Sequence, residues 1–211
     1  MKKKLSDGAK IGVLGGAFNP PHKGHLLIAK TILEKFNLDR VFFIPTGVPA
    51  LKKQGLAPAE DRLAMTKILI KKFPNFSVLD YEVKKKKKAY TSETLEYLKN
   101  KFKGAKIFWA MGEDSFRELA EGKWEKSSGI LNAAQFIIIS RPHHFYNLKT
   151  LPKKFKKKLE AAFKKVIFLK LFLAISASEI RQKIKKGEGV ENYLTKEVLD
   201  YIKRKKPYQN G

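Results

Sequence analysis

Cysteine is absent from this 211-residue chain. Its absence excludes disulfides, thiolate nucleophiles and cysteine-ligated metals. Histidine is scarce, with four residues in two sets, His22 with His25 and His143 with His144. Zinc takes three or four protein ligands, so the first pair alone is a poor metal site. Long apolar runs are also missing. FIIIS and VIFLKLFLAI fall well short of the roughly 20 residues a membrane helix requires. MKKKL begins as a signal peptide would, but SDGAK follows where an apolar segment belongs. The expectation is a soluble, cytoplasmic protein with no membrane partner.

Negative charge is the remaining deficit. Lys and Arg number 45 against 20 Asp and Glu, for a formal +25 and a pI near 10.0. Such an excess attracts polyanions. The positives are nearly all lysine, however, and they spread over every helical stretch. The run Lys84 to Lys88 lies between the strand-like SVLDYEV and the helix-like TSETLEYL and reads as a solvated loop. No RNA-binding or zinc-finger pattern is present, and aromatics do not interleave the basic runs. The charge reads as surface bias that also draws in anionic substrates, and nucleic acid is not an expected partner.

The size suits one domain, 1–211, with 1–9 as a basic N-terminal extension; chains near 150 residues already bury about 70% of their unfolded surface. The organising stretch is KIGVLGGAFNPPHKGHLLIAKTILEKF, Lys10 to Phe36. Ile11, Val13 and Leu14 form a short apolar strand that should break at Gly15-Gly16, where the chain can approach a ligand closely. From about His22 the spacing becomes helical, with Leu26, Ala29, Ile32, Leu33 and Phe36 on one face. A helix N-terminus offers unpaired N–H groups and a positive dipole end, which suit phosphate. His22 and His25, three apart, face the same way. A plain glycine turn is the competing explanation.

Further strands are expected at RVFFIP (Arg40 to Pro45), FSVLDYEV, KIFWAMG (Lys106 to Gly112), AQFIIIS and VIFLKLFL, and helices at 59–73, at SETLEYLKNKF and at EDSFRELAEG. An amphipathic helix carrying Phe155, Leu159 and Phe163 should close the segment 143–165, with two more helices from about Ser178 and Lys196. This alternation argues for an α/β fold: a doubly wound, mostly parallel Rossmann-like sheet with helices on both faces, whose ligands sit at the carboxyl ends of the strands. ISASEIR, Ile175 to Arg181, is either a capping box of Ser176 with Glu179 or a second helix start aimed at phosphate.

GGAFNPPHKGH resembles the HxGH motif of the nucleotidyltransferase superfamily, and ISASEIR resembles its ISSTxIR motif. AYTSETL, MGEDSF, Trp124, Ser140-Arg141-Pro142 and the closing YLTKEVLDYI are similar to elements of the nicotinate-nucleotide adenylyltransferases, over nearly the whole chain from Lys10 to Tyr208. The resemblance implies adenylyl transfer from ATP to nicotinate mononucleotide in NAD biosynthesis, with nicotinamide mononucleotide or both as the alternative. A basic nucleic-acid-binding protein on a nucleotide fold is the alternative from another class. Gly15, Gly16, Ala17, Phe18, His22, His25, Gly112, Arg141, Ile175, Ser176, Ser178 and Arg181 are the implied ATP site, with His22, His25 and Arg181 catalytic. Lys52, Tyr90, Thr91, Asp114 and Trp124 are the implied mononucleotide site. Taken alone, Trp124 would be ordinary core packing, Asp114 a helix cap and Arg141 a strand end. Magnesium is expected on ATP oxygens and water, with no protein ligands. A homodimer is left open.

The chain departs from the pattern at four places. Asn19 stands where Asp is commoner, Ala17 where Thr is frequent, and Ser178 where Thr is usual. The loop that usually reads PPHK is PALK, with Leu51 in the histidine's place.

Overall fold

The computed structural model describes residues 5–49, 55–140, 166–171 and 176–208. Six parallel strands make the main sheet: β1 (Lys10–Gly16), β2 (Arg40–Pro45), β4 (Phe76–Val78), β6 (Lys106–Gly112), β7 (Gln135–Ser140) and β8 (Val166–Lys170). Their spatial order is β4-β2-β1-β6-β7-β8. Counting these strands alone, the order is 3-2-1-4-5-6, the doubly wound arrangement whose direction of winding reverses between β1 and β6. A separate pair, β3 (Val48–Pro49) with β5 (Lys88–Ala89), forms a second small sheet.

Strand alternation divides the interior in two. Leu14, Phe43, Phe108, Ala110, Ile137 and Ile139 face one way. They meet α1 (Lys23–Lys35), α2 (Ala59–Ile70), α7 (Ala177–Lys185) and α8 (Lys196–Lys205). Val13, Phe42, Ile44, Trp109, Met111 and Ile138 face the other way. There they pack under α4 (Thr91–Lys101), α5 (Glu113–Ala120) and α6 (Ser127–Ala133). The near-continuous apolar strands are those of a sheet covered on both faces. No helix among the described residues is long and apolar enough to cross a membrane.

Three expectations are corrected. β1 does not break at Gly15-Gly16. It runs through both, paired to Ile44 and Pro45 of β2, and neither glycine has positive φ. FSVLDYEV is a strand only over Phe76–Val78, paired to Val41, Phe42 and Phe43 of β2, and Leu79 N–H makes a last bond to the Phe43 carbonyl before the chain leaves the sheet edge. The chain then turns into a short helix, α3 (Tyr81–Lys85), which carries Glu82 and Val83 inward and stacks Tyr81 on Tyr97 at 4.0 Å. Of the run Lys84 to Lys88, only Lys86 and Lys87 form the exposed loop. Lys84 and Lys85 end that helix, paired with Asp80 and Glu93, and Lys88 pairs with Val48. Segment 143–165 and its expected helix lie outside the described residues, as do Lys52, Arg141 and Ile175.

Candidate active site

The turn after β1 is built on crowding. A Cβ on Gly15 would stand 3.0 Å from the indole of Trp109 on β6, so glycine lets the two central strands carry that ring between them. The sharp change of direction falls at Phe18, whose φ of 48° is left-handed. A non-glycine residue keeps that conformation only where packing over-determines it. Here the ring is 2% exposed and packs on Phe43 and on the imidazole of His25.

His22 caps α1. Its Nδ1 accepts from the Gly24 N–H at 3.2 Å, and His25 Nδ1 accepts from the His22 N–H at 3.1 Å. This is a capping box with imidazoles in the places usually held by Ser and Glu. Because each Nδ1 accepts, the neutral rings carry their proton on Nε2. The rings lie 3.9 Å apart. Burial first, and then the neighbouring His22, hold His25 well below its ordinary value near 6.5, so at neutral pH it is an uncharged donor.

The late helix start meets this turn directly. Arg181 Nη1 donates to the Asn19 carbonyl at 2.8 Å, three residues before His22. The start of α1 is tied a second time by the Lys23 N–H to the Tyr193 carbonyl, at 2.9 Å. Ser176 and Glu179 do form the capping box, at 3.3 and 2.7 Å, while Ser178 is exposed. Thus the early and late motifs are brought together, and the capping-box explanation of ISASEIR holds as well.

Beside them a cleft of about 490 Å³ opens at the carboxyl ends of β1 and β6, the switch point where such sheets bind ligands. Gly15, Gly16, Ala17, Gly112, Thr46, Pro49, Glu82, Tyr90, Thr91 and Trp124 are among the residues that line it. Trp124 both lines the cleft and packs against the core, with its Nε1–H donating to Glu118 at 3.2 Å. Phe18, His22, His25, Ser176, Ser178 and Arg181 adjoin the cleft through Ala17 and Asn19 without lining it. Asp114 is exposed, in the first turn of α5, and does not line the cleft.

Sequence reasoning missed Glu82, Glu118 and Arg62. Glu82 was hidden by the strand assignment, but Arg62 carried a signal: it shares the helical face of Met65, Thr66, Leu69 and Ile70, all buried. A cation on that face asks for built-in partners, and Arg62 finds carbonyls. Asn19 also proves specific. Its Nδ2 donates to Gly55 O at 2.8 Å while its Oδ1 accepts from Ala57 N at 3.0 Å, a pairing that an ionised Asp could only half make.

Glu82 is 7% exposed and accepts from the Thr94 hydroxyl at 2.7 Å. Burial outweighs that bond and the positive charges of Lys85 and Arg62, and lifts its carboxyl to about 7 from about 4.5. Between those values the folded chain holds a proton that the unfolded chain has released. The stability from this group is therefore present below pH 4.5, declines as pH rises and is lost above 7. The thermal midpoint of the wild type should fall relative to Glu82→Gln between pH 5 and 8; parallel midpoint curves would reject the assignment. His25 acts oppositely, its contribution being lost as pH drops below 6.5.

A family model described as cytidylyltransferase-like matches residues 13–183. The chain is 35% identical over 198 residues to a probable nicotinate-nucleotide adenylyltransferase of Clostridium tetani, covering 92% of this chain and 96% of that one. It is 38% identical over 202 residues to the probable nicotinate-nucleotide adenylyltransferase of Clostridium acetobutylicum, covering 94% and 98%. Its fold matches the Plasmodium falciparum nicotinic acid mononucleotide adenylyltransferase complexed with NaAD, with a TM-score of 0.75 at 19% identity over 96% of this chain and 98% of that one.

Proposed function

We infer the chemistry of the cleft from the premise that this chain belongs to the nicotinate-nucleotide adenylyltransferase family, within the cytidylyltransferase-like group. The enzyme moves the adenylyl group of ATP to nicotinate mononucleotide, giving nicotinate adenine dinucleotide and pyrophosphate. The 5′-phosphate of the mononucleotide attacks the α-phosphorus in line, and the bond to the β-phosphate oxygen breaks. No covalent enzyme intermediate is needed, and catalysis consists of positioning and charge stabilisation.

In this reading the α1 start, with its N–H groups and the Nε2–H groups of His22 and His25, faces the triphosphate. Negative charge grows on the leaving pyrophosphate as the bond lengthens. The neutral His25 imidazole donates to that charge without first having to be charged in a buried place. Arg181 follows the β- and γ-phosphates with its planar fork of donors, and Ser176 and Ser178 add hydroxyls. Trp124 stacks on the pyridine ring, and Tyr90 and Thr91 hold the ribose end. In this reading magnesium would be carried by phosphate oxygens and water. When bound it neutralises charge on the triphosphate.

One observation carries the reading: the Arg181 guanidinium rests on the turn that leads into His22, so two helix starts 150 residues apart share one place. Pyrophosphate release should be measured with ATP and either nicotinate or nicotinamide mononucleotide in parallel. The expected result is release with both substrates present, faster with the nicotinate compound. No release with either mononucleotide would overturn the function.

A further inference from the structure

We propose that Arg62 is a positioning residue that fixes the phosphate turn against the segment leading from β2 into β3. The inference rests on the adenylyl-transfer reading above and adds a residue that the motifs do not contain.

Arg62 is 1% exposed, the largest of the fully buried side chains described. Its four hydrogen bonds all go to backbone carbonyls of segments around the cleft. Nε donates to Ala57 at 2.9 Å, Nη1 to Ala17 at 2.8 Å and to Thr46 at 2.6 Å, and Nη2 to Gly47 at 2.9 Å. Ala17 and Thr46 both line the cleft, side by side at the ends of β1 and β2, where the Thr46 N–H donates to the Gly16 carbonyl at 2.9 Å. Ala17 belongs to the turn between β1 and the capping histidines. Thr46 and Gly47 lead from β2 into β3, which brings Pro49 to the cleft. Ala57 is also held by Asn19, so the same fork reaches the loop before α2 and closes the ring of contacts.

A guanidinium is the one side chain with donors fanned in a rigid plane and no acceptor of its own. Three backbone segments that offer only carbonyls require such a group between them. Lysine presents its donors at a single point and cannot span the same set. Burying the cation is costly, and its carbonyl partners together with the nearby Glu82, Glu60 and Tyr208 offset it. The arrangement makes sense where the placement of one cleft segment on its neighbour must be held. In-line transfer is such a case: the attacking phosphate belongs to one substrate and the α-phosphorus to the other, and in the adenylyl-transfer reading the Ala17 turn carries ATP while the chain after Thr46 leads to the mononucleotide. A displacement of about 1 Å between them can cost about 100-fold in rate.

The test compares Arg62→Lys and Arg62→Gln with Leu69→Ala. Leu69 is buried on the same helix and has no part in the hydrogen-bonded fork, so its loss reports helix stability alone. Steady-state rates with ATP and nicotinate mononucleotide are taken well below each variant's thermal midpoint, after circular dichroism confirms the fold. At least one Arg62 variant, lacking either the fork or the charge, is expected to retain the native spectrum. That variant should lose about 100-fold in kcat with a smaller change in either KM, because each substrate keeps its own contacts. Leu69→Ala should keep kcat within about 3-fold at a similar loss of thermal midpoint. A folded Arg62 variant with near-wild-type kcat overturns the proposal, as does a Leu69→Ala variant equally impaired. Failure of both Arg62 variants to fold also overturns it, since Arg62 would then be a structural residue. Wild-type turnover in the same assay tests the underlying reaction separately.

Discussion

Replacing His22 by alanine lowers kcat by at least about 100-fold, the usual cost of a lost donor to charge that develops in a transition state. The structure divides that substitution into two effects. The His22 ring accepts from Gly24 N–H with Nδ1, so alanine also removes a helix cap worth about 1 kcal/mol. The catalytic loss should come from Nε2, whose proton the capping bond keeps in place. Asparagine separates the two, since it is among the best capping residues yet has no imidazole to reach the phosphates. His22→Asn should therefore unfold within about 1 kcal/mol of the wild type and still lose at least about 100-fold in kcat. Steady-state assays with a urea titration decide it. Near-wild-type turnover in either variant rejects the role.

Gly47→Ala should be the most destabilising of the conservative changes near the cleft. A Cβ there would lie 2.1 Å from the Glu82 carbonyl oxygen and 2.7 Å from its carbon. Both are backbone atoms, so no side-chain rotation relieves the contact. The residues after β2 and the α3 segment would have to part, stretching the Arg62 bond to Gly47 and the β3–β5 pairing next to it. Overpacking of this kind costs about 3 kcal/mol, which for a chain of this length is about 6–12 °C in thermal midpoint. Calorimetry checks it, and an unchanged midpoint would contradict the packing described. Gly16 makes the contrast, because a Cβ there meets only the Phe18 ring, at 3.9 Å. Any need for glycine at that position comes from a ligand rather than from the fold.

The parts legible in the sequence were those with a long period or an uninterrupted run. Strand, turn and helix over Lys10 to Phe36 could be read because the apolar spacing changes from a short run to threes and fours. The central strands were legible because a sheet covered on both faces leaves them apolar throughout. The two capped helix starts, at His22 and at Ser176, were legible, and the structure brings them together. Legibility failed where tertiary pairing decided the matter. Nothing in SVLDYEV says that β2 ends its pairing at Val78, and so Glu82 went unseen. Gly15 looked like a turn residue when its reason is Trp109, ninety-four positions away. Arg62 was visible in principle, as a cation among the buried positions of α2, but its partners belong to three distant segments.

The β3–β5 pair shares no backbone ladder with the six-stranded sheet. It nonetheless carries Pro49 and Ala89 to the cleft and leads straight into Tyr90 and Thr91. In the proposed reading the part of the cleft that would take the pyridine substrate is thus an appendage, hung from the frame that would serve ATP rather than woven into it. Mutational drift can rework such an appendage while the frame keeps its register. New substrate preferences should therefore arise in this ribbon first, with the handling of the triphosphate inherited unchanged.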